Sequence, residues 1–309
     1  MTGGGGMKTI LPVKLRSILE NSWMDWNNLR EIRMCSDQPV FLMIGQEEMV
    51  VDRVLGISSG THLPYIISSE DIQECMAYIC QYSLYAYEDQ IQKGFITIRG
   101  GHRVGMSGQV VIKDGKVHTM YPVSALNIRV AHSVKGCAES LFPYLWENNI
   151  PCDTLIVSPP GFGKTTLIRD LIRLFSDGYG GKKGQRVSLI DERSEIAACY
   201  QGIAQNDVGK RTDIMDHCPK SIGVEMMVRS MSPRLIAFDE LGDSKDMDAV
   251  GYATQSGCRV LTTMHGNDWK DIKKRVPENI FQRYVFLNSW NEKERIREVL
   301  DAEGQVLNR

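Results

Sequence analysis

The chain has 309 residues, 42% hydrophobic and 24% charged, with 36 basic against 38 acidic residues and a formal charge of −2. That length corresponds to about two domains at the usual 100 to 200 residues per domain, with ample chain for a sizeable core. The charge balance excludes a bulk polycation but not a local basic patch. No apolar run approaches the roughly 20 residues of a membrane helix, and the opening MTGGGGMKTILPVK has the pattern of neither a signal peptide nor a span. A soluble intracellular chain is expected, with peripheral membrane attachment left open. The eight cysteines (35, 75, 80, 137, 152, 199, 218 and 258) contain no C-x-x-C pair. They read as reduced small hydrophobes rather than a disulfide framework or a zinc site.

In chain order, residues 10–34 carry helix-like stretches without a repeat. PVFLMIG (39–45) and EEMVVDR (47–53) read as two strands of a hairpin around a glycine turn. Residues 68–94 form a helical unit with a serine cap at Ser69 and acids in the first turn. FITIRGGHRVGMSGQVVIKDGKVHTM (95–120) switches to strand periodicity broken by Gly-Gly, Ser-Gly and Asp-Gly. A smaller N-terminal α+β interaction domain over residues 8–130 accounts for this pattern. The seam falls at about 125–140, where AESLFPYLWENN is expected as a helix entering a second domain, 131–309. There the alternation is that of a parallel α/β sheet, with core strands TLIVS (154–158), RVSLID (186–191), RLIAFDE (234–240), CRVLTTMH (258–265) and RYVFLNS (283–289).

Strand TLIVS runs into PPGFGKTTLIRDLIRLFSDG, whose Leu167, Ile168, Leu171, Ile172 and Leu174 make one helix face. Strand, glycine loop and helix in this order are the context of a phosphate-binding loop. Gly161 and Gly163 allow a tight turn and close backbone approach, and Lys164 reaches the β and γ phosphates. Thr165 supplies a hydroxyl for Mg²⁺, and the helix start, Thr166 included, adds amide donors. The strict motif would put glycine at 158, where this chain has Ser158. Such a loop calls for a downstream acid, and LIAFDE offers two: Asp239 to hold Mg²⁺ through water and Glu240 to orient or deprotonate the attacking water. Without an N-K-x-D segment, ATP is preferred to GTP.

Asp191 and Glu192 in LIDERSEIA end another strand and divide between active-site support and structural pairing, with Arg193 beside them. His265 ends the strand VLTTMH and is expected to sense the γ-phosphate through a neutral imidazole. Arg229 and Arg234 precede the acidic strand and either cross a subunit boundary or pair within the fold. Arg99, His102 and Arg103 lie in the glycine-rich IRGGHRVGMSG, where exposed donors could close over a neighbour's phosphates, the alternative being local structure.

SPPGFGKTTLIRDL, LIDERSEIA, MMVRSMSPRLIAFDE and TTMHG, with FITIRGGHRVGMSG and LNIRVA in the first domain, together resemble the stage III sporulation protein AA family. That family is a relative of the RecA-like ATPases of type II and type IV secretion. The likeness spans about residues 90 to 300, and Ser158 departs from the family's usual GPP opening. It implies a RecA-like P-loop ATPase domain with a smaller N-terminal α+β domain. It further implies a homo-hexameric, ATP- and Mg-dependent motor in the mother-cell cytoplasm, peripheral at the membrane facing the forespore and attached to membrane proteins of the stage III channel. By similarity Lys164 and Thr165 are nucleotide residues and Asp239 with Glu240 the hydrolysis pair. His265 takes the place of the relatives' conserved-box histidine, and the relatives' N-domain arginines make Arg99 and Arg103 candidates for contacts in trans. Two other functions stay open. One is a nucleotide-controlled scaffold with little hydrolysis. The other is a nucleic-acid motor, for which the chain has no strong basic tract or aromatic stacking cluster.

Overall fold

The computed structural model describes residues 5–307 apart from positions 61, 133, 243, 290, 291 and 293. It divides into two compact units, Met1–His132 and Ser133–Arg309. The first unit contains α1 (Gly5–Lys8), α2 (Val13–Glu20), β1 (Leu29–Cys35), β2 (Gln38–Pro39), β3 (Phe41–Ile44), β4 (Glu47–Asp52), β5 (Gly56–Ser58), β6 (Ile66–Ile67), α3 (Ser69–Ile79), α4 (Glu88–Gln92), β7 (Phe95–Thr97), β8 (Arg103–Lys113) and β9 (Lys116–Arg129). Seven of its strands form an antiparallel sheet in the order β5-β4-β3-β1-β9-β8-β7.

The expected hairpin is present as β3 and β4, paired from Phe41↔Val50 to Ile44↔Glu47. The helical unit differs in two ways. Its cap is Ser68 rather than Ser69, in a reciprocal capping box with Asp71. It also stops at Ile79, because Gln81 and Tyr82 take left-handed φ values of 49° and 61°, and the Tyr82 N–H returns to the Ala77 carbonyl at 2.8 Å. Asp114 and Gly115 turn β8 into β9 with positive φ at both positions. Ser107-Gly108, expected to break the strand, only bulges it. A Cβ at Gly108 would lie 2.3 Å from the Pro122 carbonyl oxygen, so only glycine fits there.

His102 is not an exposed donor. It is 3% exposed, its Nδ1 accepts the Ala131 N–H at 3.1 Å, and burial, helped by nearby His132, lowers its pKa to about 4. An unfolded histidine titrates near 6.5, so between those values the unfolded chain binds the extra proton and stability falls as pH falls. The loss from pH 6.5 to 4 is up to about 3 kcal/mol. His102→Asn keeps an acceptor without the titration, and denaturant unfolding at stepped pH is expected to show a shallower slope for it than for the parent chain.

The second unit opens with a 3₁₀ turn (Phe142–Leu145) and a small hairpin, β10 (Trp146–Glu147) and β11 (Ile150–Pro151), where the sequence suggests an α-helix. Pro143 removes an amide donor, and Asn148 and Asn149 take positive φ at the hairpin turn. There follow β12 (Thr154–Ser158), α5 (Lys164–Asp177), β13 (Val187–Asp191), β14 (Thr212–Asp216), α6 (Lys220–Met231), β15 (Leu235–Glu240), α7 (Ser244–Gln255), β16 (Arg259–His265), α8 (Trp269–Arg275), β17 (Arg283–Leu287) and β18 (Ile296–Leu300). The sheet has seven strands, not five, in the order β14-β13-β15-β16-β12-β17-β18. All neighbours are parallel except β17 and β18. Both faces are covered, as a parallel sheet requires. Ile156 and Leu189 pack with the apolar face of α5 and with Phe142, while Leu155, Val157 and Phe238 pack with α6, α7 and α8. The two unpredicted strands, β14 and β18, lie at the edges and lack a continuous buried run.

Candidate active site at the carboxyl ends of the parallel strands

Parallel pairing brings the ends of β12, β15 and β16 to one edge of the sheet, where open α/β sheets bind ligands. Ser158 lies opposite His265 in the register of β12 and β16. Between β15 and β16 the register jumps from Ala237↔Leu261 to Glu240↔Thr263, a bulge at the two acids of the kind that re-aims strand-end side chains. The Thr262 hydroxyl donates to the Asp239 carbonyl at 2.8 Å and pins that turn.

The loop from β12 to α5 carries two left-handed glycines. Gly161 and Gly163 both take φ of 80°, and no heavy atom lies within 4 Å of a Cβ built at Gly161, so its glycine answers to backbone conformation rather than space. Gly163 caps α5, and the first-turn amides of Lys164, Thr165 and Thr166 point out of the helix end. Ser158 has no positive φ and pairs as the last residue of β12, so a glycine is not required at this position. The Arg295 guanidinium donates to the Gly163 carbonyl at 2.8 Å from beyond β17, a support that sequence reading missed. The charged run NEKERIRE was its only signal.

Lys164 is 7% exposed. Its ammonium donates to the carbonyls of Ser158 (2.9 Å) and Pro159 (3.1 Å) and to His265 Nδ1 (2.8 Å). His265 Nε2 lies 3.1 Å from Glu240 Oε1. An ammonium has no acceptor capacity, so Nδ1 must accept, which leaves the proton on Nε2, the nitrogen nearer Glu240. His265 Nδ1 also lies 3.4 Å from the Ser158 carbonyl, a contact that would need the other tautomer and yields to the shorter lysine bond. Burial lowers the Lys164 pKa, with Glu240 and Asp239 pulling the other way. Asp239 is pushed up to about 7, first by burial and then by the like charges of Glu195, Asp191 and Glu240.

The remaining candidates separate. Asp191 is fully buried and accepts three backbone N–H groups, from Glu195, Ile196 and Ala197 at 2.8–3.0 Å. Arg169 on α5 holds the same loop through the Glu195 and Ile196 carbonyls, both at 2.7 Å. Asp191 thus organises the loop that follows β13. Glu192 pairs with Lys220, a residue the sequence reading did not select. Arg229 is exposed and pairs with Glu225 one helical turn away. Arg99 is exposed in the first unit, and Arg103 stacks on the Phe95 ring at 3.5 Å.

The sequence profile of the sporulation stage III protein AA family matches residues 5–307. The chain belongs to that family. Stage III sporulation protein AA of Bacillus subtilis (strain 168) is 36% identical over 307 residues, covering 97% of this chain and 96% of the relative. Among solved structures, the ATPase DotB of Legionella pneumophila superposes with a TM-score of 0.58 at 15% identity, over 94% of this chain and 81% of its own. The pilus retraction motor PilT with bound ADP gives 0.58 at 14% identity, over 94% and 82%. At these identities the likeness is one of fold, the RecA-like fold of secretion ATPases. No helix among the described residues is long and apolar enough to cross a membrane.

Because position 158 asks for strand geometry, Ser158→Gly is expected to lower stability in denaturant unfolding by about 1 kcal/mol, the cost of glycine inside a strand.

Proposed function

We propose that this chain binds ATP with Mg²⁺ on the Gly161–Thr166 loop and hydrolyses it with Glu240 as the water-orienting base. Its turnover drives or assembles the mother-cell-to-forespore channel as a homo-hexamer held by stage III membrane proteins at the cytoplasmic face. The observation that carries the reading is the run of contacts from Lys164 to His265, a hydrogen bond of 2.8 Å, and from His265 Nε2 to Glu240, a polar contact of 3.1 Å. It joins the group that would meet the γ-phosphate to the group that would handle water.

The donor set suits the metal. No group of three or more His, Cys, Asp and Glu residues is arranged to hold an ion among the described residues. Mg²⁺ commonly needs no such cage: it takes one or two protein oxygens and completes its shell with phosphate oxygens and water. Thr165 and Asp239 would be the protein donors. Asp239, crowded by other carboxylates, is the acid that gains most from a cation. Bound there, Mg²⁺ would neutralise charge developing on the phosphates. Lys164 would exchange its loop carbonyls for phosphate oxygens, His265 would hold its proton on Nε2 toward Glu240, and Glu240 would keep an oxygen for the water's proton. Arg99 and Arg103 would serve in trans from a neighbouring subunit.

A specific observation also favours the slower scaffold reading. With Lys164 satisfied by Ser158, Pro159 and His265, the isolated site rests in an arrangement that a phosphate must displace.

Phosphate release by the purified protein with Mg-ATP decides between them. Lys164→Ala is expected to lose nucleotide binding and turnover, and Glu240→Gln to bind ATP while turning over about 100-fold more slowly or worse. Equal release by all three proteins would sink the assignment, and a parent chain that binds ATP without turnover would favour the scaffold. Mass measurement with ATP is expected to find a hexamer, and a monomer at every concentration would refute that part.

A further inference from the structure

Lys220 opens α6 with a side chain only 10% exposed, its Nζ lying 2.5 Å from Glu192 Oε2 and 3.5 Å from Asp246 Oδ2. Glu192 follows the end of β13. Asp246 sits in the first turn of α7, and the same Oδ2 accepts the Gly242 N–H at 2.7 Å. One ammonium thus joins the end of β13, the start of α6 and the turn that leaves β15 two residues after Glu240. Glu192, Lys220 and Asp246 line a cavity of about 200 Å³ together with Asp239 and Glu240. The bridging charge is what lets the two carboxylates approach, since without it they repel.

We propose that Lys220 is a positioning residue for hydrolysis: it fixes the Gly242 turn, and through it the Glu240 carboxylate, without adding to nucleotide affinity. This inference rests on the function proposed above. The phosphate loop already supplies Lys164 for the nucleotide, and the contacts of Lys220 go to the protein carboxylates Glu192 and Asp246. An asymmetric effect on kcat and KM follows. A group that holds a base in place matters only when the base acts, and misplacement of about 1 Å suffices for a large loss of rate.

The test compares the full-length parent with Lys220→Met, which keeps the apolar stem, and Lys220→Arg, which restores the charge. Lys220→Met is expected to lower kcat about 10- to 100-fold, with KM and the Kd for a fluorescent ATP analogue within about threefold. The Gly242 amide should exchange faster with solvent, and Lys220→Arg should recover most of the rate. A kcat within twofold of the parent, unchanged Gly242 exchange, a matched loss of nucleotide affinity, or no recovery by arginine would each overturn the proposal. Should the methionine variant not fold, Glu192→Gln breaks the same clamp from its other side and carries the same readouts. A parent chain that turns over no ATP overturns the proposed function instead, and Gly242 exchange then decides whether Lys220 holds the turn.

Discussion

The parallel register of β12 against β16, and of β16 against β15, is the constraint on which the site depends. Ser158 faces His265 across one ladder and Glu240 faces Thr263 across the next. The residue after a strand end, or within one turn of it, is therefore delivered to a common edge from stretches about a hundred residues apart. Lys164 reaches that edge because the loop before it spends two glycines in left-handed conformation, a geometry that costs other residues about 1–2 kcal/mol. A one-residue slip of β16 would turn His265 to the other face of the sheet and break the link between lysine and glutamate. The buried apolar faces forbid such a slip, since Leu261 and Val260 would exchange the two hydrophobic layers they fill.

The edge concentrates carboxylates, and the fold treats them differently. Asp191 is buried more deeply than Asp239, yet it is surrounded by three amide donors and tied down with the loop it organises. Asp239 has its backbone oxygen satisfied by Thr262, while its carboxyl stays under the influence of Glu195, Asp191 and Glu240. The first arrangement uses carboxyl oxygens as acceptors that build a loop. The second keeps an acid under repulsion, and a cation or a proton relieves it. Lys220 solves the same problem for Glu192 and Asp246 with a fixed ammonium. Neighbouring acids of similar sequence context thus split into a loop anchor, a clamp and a group suited to a metal.

Much of this edge was legible in the sequence because its signals are local. TLIVS followed by GFGKTT fixes strand, loop and helix within a dozen residues, and LIAFDE and VLTTMH each carry an apolar strand ending in a polar side chain. Family resemblance covered the same stretches. What was hidden depends on tertiary partners. β14 and β18 are edge strands whose half-buried patterns resemble loops, and the helix expected at AESLFPYLWENN gave way to Pro143 and the Asn148-Asn149 turn. His102 looked like a donor in a glycine-rich loop until burial and the Ala131 amide fixed it as an acceptor. Lys220 is a lone lysine after Cys-Pro and Arg295 one of several charges in NEKERIRE, so both read as solvated, and only the placement of Glu192, Asp246 and the Gly163 carbonyl singles them out.

The resting contacts of Lys164 bear on how binding and chemistry would be linked under the proposed function. Its ammonium is held by two neutral carbonyls and a neutral imidazole, whereas phosphate oxygens are ionised acceptors, and charge-assisted bonds are about twice as strong as neutral ones. Phosphate would therefore win the lysine. Losing it would free His265 Nδ1 while Nε2 still faces Glu240, so the imidazole could follow the lysine toward phosphate or stay with the glutamate. Only where it follows the lysine do the arrival of nucleotide and the release of the base become one event, because the histidine that joins the two groups has only one proton to place. In such an arrangement the empty site holds Glu240 beside the imidazole, and filling the phosphate loop is the event that would change that contact.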